Sequence, residues 1–189
     1  ASDVYKRQMS HDIRTPMNAV IGMTSLIRHD AGKTVFKYDD FSILNFIQEI
    51  NNLFHSQIDE KKQTLTTKKN IRHEWVNGDQ LHLMQIFSNL LSNAVKYTQQ
   101  GSVTIRVEGD RQLVIEDTGI GIAAEDIPRI FEKGYTGENG RLGKKSTGIG
   151  LYLSQMAAKK LGHTISVESI PGEGSSFKID LSSYALQVE

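Results

Sequence analysis

Four polar residues of the segment 79–97, Gln85, Asn89, Asn93 and Lys96, are spaced by four, four and three, which on a helix draws one stripe. A stripe meant only for solvent would favour Glu and Lys, whereas asparagine is a poor helix former. Amide oxygens one turn from a lysine suit a magnesium-phosphate group: hard magnesium takes oxygen ligands, and the ammonium offers a point charge to phosphate. Asp117 raises a second question in "LVIEDTGIGI". With Leu113 and Ile115 it falls on one face of a strand, so a carboxylate follows the inward residues, and a buried charge needs a partner. Gly119 and Gly121 let the backbone pass close to something flat. In "STGIGLYL", Gly148 and Gly150 open a helix whose free amides and positive dipole end favour an anion. Near the start, "SHDIRTPMNAV" sets His11 against Asp12, with Thr15 one helical turn on and Pro16 next to it.

The elements that carry these residues follow from periodicity. Met9, Ile13, Met17, Val20, Ile21 and Ile27 predict an amphipathic helix from Met9 to Ile27 that ends near "HDAGK". Ile43, Ile47, Ile50, Phe54 and Ile58 predict a second helix over 41–58, with an apolar face wide enough to lie on a sheet. "QTLTTKK" reads as a weak strand and "HEWVNGD" as a turn, followed by a third helix over 79–97. Val103, Ile105 and Val107 alternate, and a Gly109-Asp110 turn leads into Leu113 to Asp117, a hairpin. A short helix is expected near 125–132. The thirteen residues "GYTGENGRLGKKS" then lack any period, and a loop of that length in a compact domain is functional or disordered. A fourth helix over 147–161 and a closing hairpin around "IPGEG" complete the chain. Helices alternating with antiparallel hairpins predict a two-layer α/β sandwich.

Composition excludes several kinds of chemistry. Cysteine is absent, which removes disulfides, thiolate catalysis and cysteine metal sites. Lys plus Arg equal Asp plus Glu at 22 each, so no net field draws nucleic acid or an anionic membrane. No stretch approaches the roughly 18 apolar residues of a membrane span and no signal peptide is visible, so the expectation is a soluble, cytoplasmic chain without direct membrane contact. The first eight residues, "ASDVYKRQ", have no apolar period and read as a non-native leader. His29, His55, His73, His82 and His163 show no ligand spacing and are expected to be structural or surface residues.

Taken in order, "NLLSNAVKYT", "DTGIGI", "IPRIFEKGYTG" and "STGIGLYL" resemble the asparagine box, first glycine box, phenylalanine box and second glycine box of the ATP-binding domain of sensor histidine kinases. "SHDIRTP" resembles the phosphoacceptor box of the same family. The resemblance implies a Bergerat-type fold over 32–189 and, over 1–31, part of a dimerisation and phosphotransfer hairpin. It implies ATP and Mg2+ as ligands. Asn93 would coordinate magnesium with Asn89 near the same site, Lys96 would reach phosphate, and Tyr97 would pack at the nucleotide. Asp117 would hold the adenine amino group, helped by Gly119 and Gly121, while Thr147, Gly148 and Gly150 would meet the phosphates. Residues 134–146 would form a lid over ATP, with Arg141, Lys144 and Lys145 as candidate phosphate contacts. Ser175 and Ser176 stand where relatives often carry threonine, and one or the other would join a water network at adenine. His11 would accept the γ-phosphoryl group, with Asp12 as base and Thr15 positioning the water that dephosphorylates a response-regulator receiver domain, the implied partner. Pro16 should kink the helix just past the histidine.

Two other readings stay open on the sequence. Gyrase-like and chaperone relatives of this fold hydrolyse ATP with a glutamate one turn before the magnesium asparagine. That position is Asn89 here, and an amide cannot take a proton from water. A non-catalytic or phosphatase-type nucleotide-binding module is the other alternative. In the family the histidine helix is followed by a second helix, and two such hairpins make a dimeric four-helix bundle. In this chain "IRHDAGK" runs almost directly into the next strand, so the second helix is missing and the homodimer is weakened.

Overall fold

The computed structural model describes residues 36–70, 75–108, 112–137 and 147–181. The helix expected over 9–27, with His11, Asp12, Thr15 and Pro16, lies outside the described residues, as do the Gly109-Asp110 turn and residues 138–146.

Strand β1 (Asp39–Ser42) runs into helix α1 (Ile43–Glu60), and the hydroxyl of Ser42 caps the helix by accepting from the Asn45 amide at 3.2 Å. Ile43, Phe46, Ile47, Ile50, Phe54 and Ile58 repeat at helical intervals and are all buried. β2 (Thr64–Asn70) follows, then β3 (Trp75–Gly78), which pairs antiparallel with β1 from Asp39↔Gly78 to Ser42↔Trp75. "WVNG" is therefore a strand and not the turn its Asn-Gly suggests. The β1 partner residues lie 33 to 39 positions earlier, a pairing that no local pattern in the turn residues reveals.

Helix α2 (Gln80–Tyr97) begins at Asp79, whose Oδ1 accepts from the His82 amide at 3.0 Å. Leu83, Ile86, Phe87, Leu90, Leu91, Ala94 and Val95 form its buried side. After it come β4 (Ser102–Glu108), β5 (Gln112–Asp117), a single 3-10 turn at Ile127–Arg129, α3 (Gly150–Lys160), β6 (Thr164–Ile170) and β7 (Gly174–Asp180). The expected short helix is thus one turn, and α3 starts three residues later than the period suggested.

The main sheet has the order β2-β4-β5-β7-β6. Only β2 and β4 are parallel, because the chain between them passes through β3 and α2, a crossover long enough to return it in the same direction. Val103, Ile105, Val107, Leu113, Ile115, Phe177 and Ile179 share one core with the buried sides of α1, α2 and α3. The result is the expected two-layer α/β sandwich. On the other face Val114, fully buried, is flanked in register by Arg106 and Lys178, whose charged ends pair with Glu108, Glu116 and Glu168. Long stems cover the valine while their heads stay wet. Among the described residues no helix is long and apolar enough to cross a membrane.

Candidate functional site

Register places the polar residues where the core runs out. Ile105, Ile115, Phe177 and Val167 lie side by side across β4, β5, β7 and β6, and all are apolar. One step toward the end of β5 the same face reads Asp117, Ser175 and Ser169 across β5, β7 and β6. A row of oxygen-bearing side chains thus replaces a row of hydrocarbon at the rim of the core. Asp117 is 6% exposed. Burial raises its carboxyl above the ordinary value, an effect opposed by the amides of Gly119 and Ser175 and reinforced by neighbouring Glu116. The Gly119 amide donates to Asp117 Oδ1 at 2.9 Å.

Asp117 and Ser175 of this row floor a cavity of about 140 Å3, with Ser169 behind them. α2 supplies Asn93 and Tyr97, the loop after β5 supplies Gly121, and the entry to α3 supplies Gly148 and Gly150, all lining residues together with Asp117. The stripe on α2 is half-buried, and it divides along its length. Asn93 reaches the cavity. One turn earlier Asn89 meets α3, its Nδ2 donating to Ser154 Oγ at 2.8 Å. Lys96 sits with Nζ 4.9 Å from the centre of the Tyr97 ring, at the outer end of the stripe. Thr147 is exposed and outside the lining, where Gly148 and Gly150 belong to it.

Two glycines are fixed by close approach. A Cβ on Gly119 would stand 2.6 Å from the Tyr97 carbonyl oxygen and 2.7 Å from Asp117 Oδ1, so only hydrogen lets the loop close under the carboxylate. Gly121 has φ +68°, and a Cβ there would stand 2.1 Å from the Ile170 carbonyl oxygen. Gly119 therefore shapes the floor from beneath, whereas Gly121 borders the cavity itself.

The structure adds residues that the sequence alone did not single out. Asp126 and Tyr135 also line the cavity, joined by a hydrogen bond from the Tyr135 hydroxyl to Asp126 Oδ1, and the Arg129 guanidinium lies 4.3 Å from the Tyr135 ring centre. Arg129 and Tyr135 fall within "IPRIFEKGYTG" and Asp126 immediately precedes it; the motif was visible but individual roles were not. Of the two serines in "GEGSS", Ser175 lines the cavity; Ser176, its neighbour, points to the other face of β7.

A cavity that ends in a buried acceptor at one side and opens on glycine amides at a helix start at the other can take a ligand with a donor-bearing flat ring and a chain of anionic groups. Among the described residues no cluster of three or more His, Cys, Asp or Glu could hold a metal ion. The amide oxygens of α2 are the donors that fit a hard cation, which keeps waters and binds ligand phosphates as well.

Residues 78–184 match the model of the family described as histidine kinase-, DNA gyrase B- and HSP90-like ATPase. The sensor protein GacS of Pseudomonas syringae pv. syringae is 30% identical over 218 residues, which cover 92% of this chain and 24% of GacS. The chain spans about a quarter of the length of the curated relatives it matches. Among solved structures, full-length ShkA in complex with AMPPNP superposes with a TM-score of 0.74 at 21% identity, covering 93% of this chain and 36% of that one. The histidine kinase ThkA in complex with the response regulator TrrA gives 0.68 at 18% identity, covering 96% and 52%. The fold agrees with these structures, and the family match extends over more than half of the residues: the chain belongs to the histidine kinase-, DNA gyrase B- and HSP90-like ATPase family.

Proposed function

We propose that this chain is kinase-core sequence of a cytoplasmic sensor histidine kinase, with a nucleotide-binding domain over 32–189 and a phosphoacceptor segment over 1–31. The observation that carries the reading is the buried Asp117 at the floor of a cavity walled by Asn93 and Tyr97 and by the Gly148-Gly150 entry to α3. Asp117 accepts from the exocyclic amine of adenine, and Tyr97 packs beside the ring. Glycine amides at the α3 start receive the phosphates, with Lys96 near their outer end. Magnesium would neutralise phosphate charge, held by the Asn93 amide oxygen with Asn89 behind it. The imidazole of His11 attacks the γ-phosphorus: a P–N bond forms, the bond to the bridging β–γ oxygen breaks, and ADP leaves while Asp12 takes the ring proton. The phosphoryl group then passes to a response-regulator aspartate, and the ThkA–TrrA complex supports a partner of that kind.

One observation favours a restrained version of this activity. The GacS alignment runs over 218 residues, whereas 92% of this 189-residue chain is about 174, so some forty positions of the relative have no counterpart here. A hairpin helix fits that deficit. Without it the apolar residues Ile13, Met17, Val20, Ile21 and Ile27 lack their bundle partner, at roughly 1.5 to 3 kcal/mol for each side chain left in water. Nucleotide binding is then retained while phosphorylation of His11 is slow. Incubation with γ-labelled ATP and magnesium should give weak acid-labile, alkali-stable label that disappears in His11→Gln. Inserting a relative's second helix after Arg28 should raise both the label and the dimer fraction in sedimentation. Strong labelling of the unmodified chain as a stable dimer would overturn the restrained version, and failure to bind ATP in calorimetry would overturn the kinase reading.

A further inference from the structure

The Ser169 hydroxyl sits at a knot between the loop after β5 and the β6–β7 hairpin. It accepts from the Ile122 amide at 2.8 Å, lies 2.8 Å from the Gly174 carbonyl oxygen and 3.0 Å from Ser175 Oγ. A serine hydroxyl has one hydrogen and two lone pairs. The Gly174 carbonyl can only accept, so the hydrogen of Ser169 goes there. Ser169 Oγ must then be the acceptor in its contact with Ser175, and the single hydrogen of Ser175 is spent on Ser169. What Ser175 has left for the cavity it lines is lone pairs only.

We propose that Ser169 is a positioning residue for base selection: by consuming the hydrogen of Ser175 it makes that hydroxyl an acceptor, so the cavity floor offers acceptors from both Ser175 and Asp117. Such a floor matches a purine with an exocyclic amine and opposes one with an oxo group at the same place, because oxygen would face oxygen. The inference rests on the nucleotide reading above and extends it to a residue outside the lining of the cavity.

The test is calorimetric titration of the full chain with Mg-ATP and with Mg-ITP, which carries the oxo group at the position of the amine. Ser169→Ala releases the Ser175 hydrogen, which can turn to the ligand as a donor. The ratio of ATP to ITP affinity should fall about 5- to 10-fold, the equivalent of one net hydrogen bond. Ser169→Thr, which keeps the hydroxyl, should restore it. Ser175→Ala leaves the Ile122 and Gly174 bonds of Ser169 in place and should lower the ratio as well, so the inference is exposed even if Ser169→Ala does not fold. Equal losses for both nucleotides in Ser169→Ala would mean a purely structural knot and overturn the proposal, as would an unchanged ratio in Ser175→Ala. If the unmodified chain binds neither nucleotide, the nucleotide reading itself falls and this inference falls with it.

Discussion

Asp117 is held in the fold at a cost, and its pH behaviour shows the direction. Burial raises its carboxyl above the unfolded value, so the folded chain keeps this proton to higher pH than the unfolded one. Its contribution to stability therefore declines as pH rises from the unfolded value, near 3.8, through the raised folded one, and at neutral pH the ionised group opposes folding. Asp117→Asn should melt at a higher temperature than the unmodified apo chain at pH 7. The same variant should lose ATP affinity by about 10- to 150-fold, since a charge-assisted hydrogen bond contributes on the order of 1.5 to 3 kcal/mol. A variant that is destabilised and still binds would refute the assignment. His163 has the opposite sign. Burial lowers its pKa to about 4, against a smaller opposing pull from Asp180. The unfolded chain takes up a proton between about pH 6.5 and 4 that the folded chain refuses, so stability should fall through that interval as pH falls, by about 3 kcal/mol in all. Chemical denaturation from pH 7 to pH 4 should show this slope, and His163→Gln should flatten it.

At the scale of elements, α2 carries the site and is fastened at both ends. Asp79, 4% exposed, accepts from the His82 amide with Oδ1 and from the Lys37 amide with Oδ2 at 3.1 Å, while Oδ2 lies 2.8 Å from His82 Nδ1. It thereby ties the segment before β1 to the start of the helix. At the other end Gln63 Nε2 donates to the carbonyls of Val95 (3.0 Å) and Thr98, and Lys61 Nζ also reaches the Val95 carbonyl, where a positive charge suits the dipole. The Tyr97 carbonyl accepts from the Ile120 amide at 3.3 Å, joining the helix end to the loop under Asp117. Asp79→Ala removes a cap and leaves buried donors unmatched, so it should cost about 1 to 2 kcal/mol in a denaturant titration. Asp79→Asn should recover part of that loss through its remaining oxygen. An unchanged midpoint in Asp79→Ala would show that water replaces the cap.

For the whole molecule, the nucleotide and the fold are linked because the cavity exists only when α2, α3, β5 and β7 are assembled. A ligand that binds only the folded state stabilises it by about 2.7 kcal/mol at one hundred times its dissociation constant. For a chain of this size that corresponds to a rise in melting temperature on the order of 5 to 11 °C. Thermal melts with Mg-ATP should show this rise, with little rise for Asp117→Ala at the same nucleotide concentration. A comparable rise in Asp117→Ala would place the binding elsewhere.

Much of this protein was determined by its sequence alone. The repeats of Ile43 to Ile58 and Leu83 to Val95 set two helices, because a helix must bury one face whatever its neighbours. The alternation at Val103 to Val107 and Leu113 to Asp117 set a hairpin and marked the carboxylate as inward. The glycine and asparagine motifs, in their order, pointed to a nucleotide. Tertiary structure decided what local pattern cannot. "WVNG" became a strand because β1, far away in sequence, was there to pair with it. Asn89 and Asn93 share one stripe, yet Ser154 of α3 takes the first and the cavity the second. Ser175 and Ser176 are alike in the sequence, and the pleat of β7 turned one to the cavity and one away. Ser169 gave no signal, being one serine in an alternating strand, and its role comes from the three backbone and side-chain groups that register brings to a single hydroxyl.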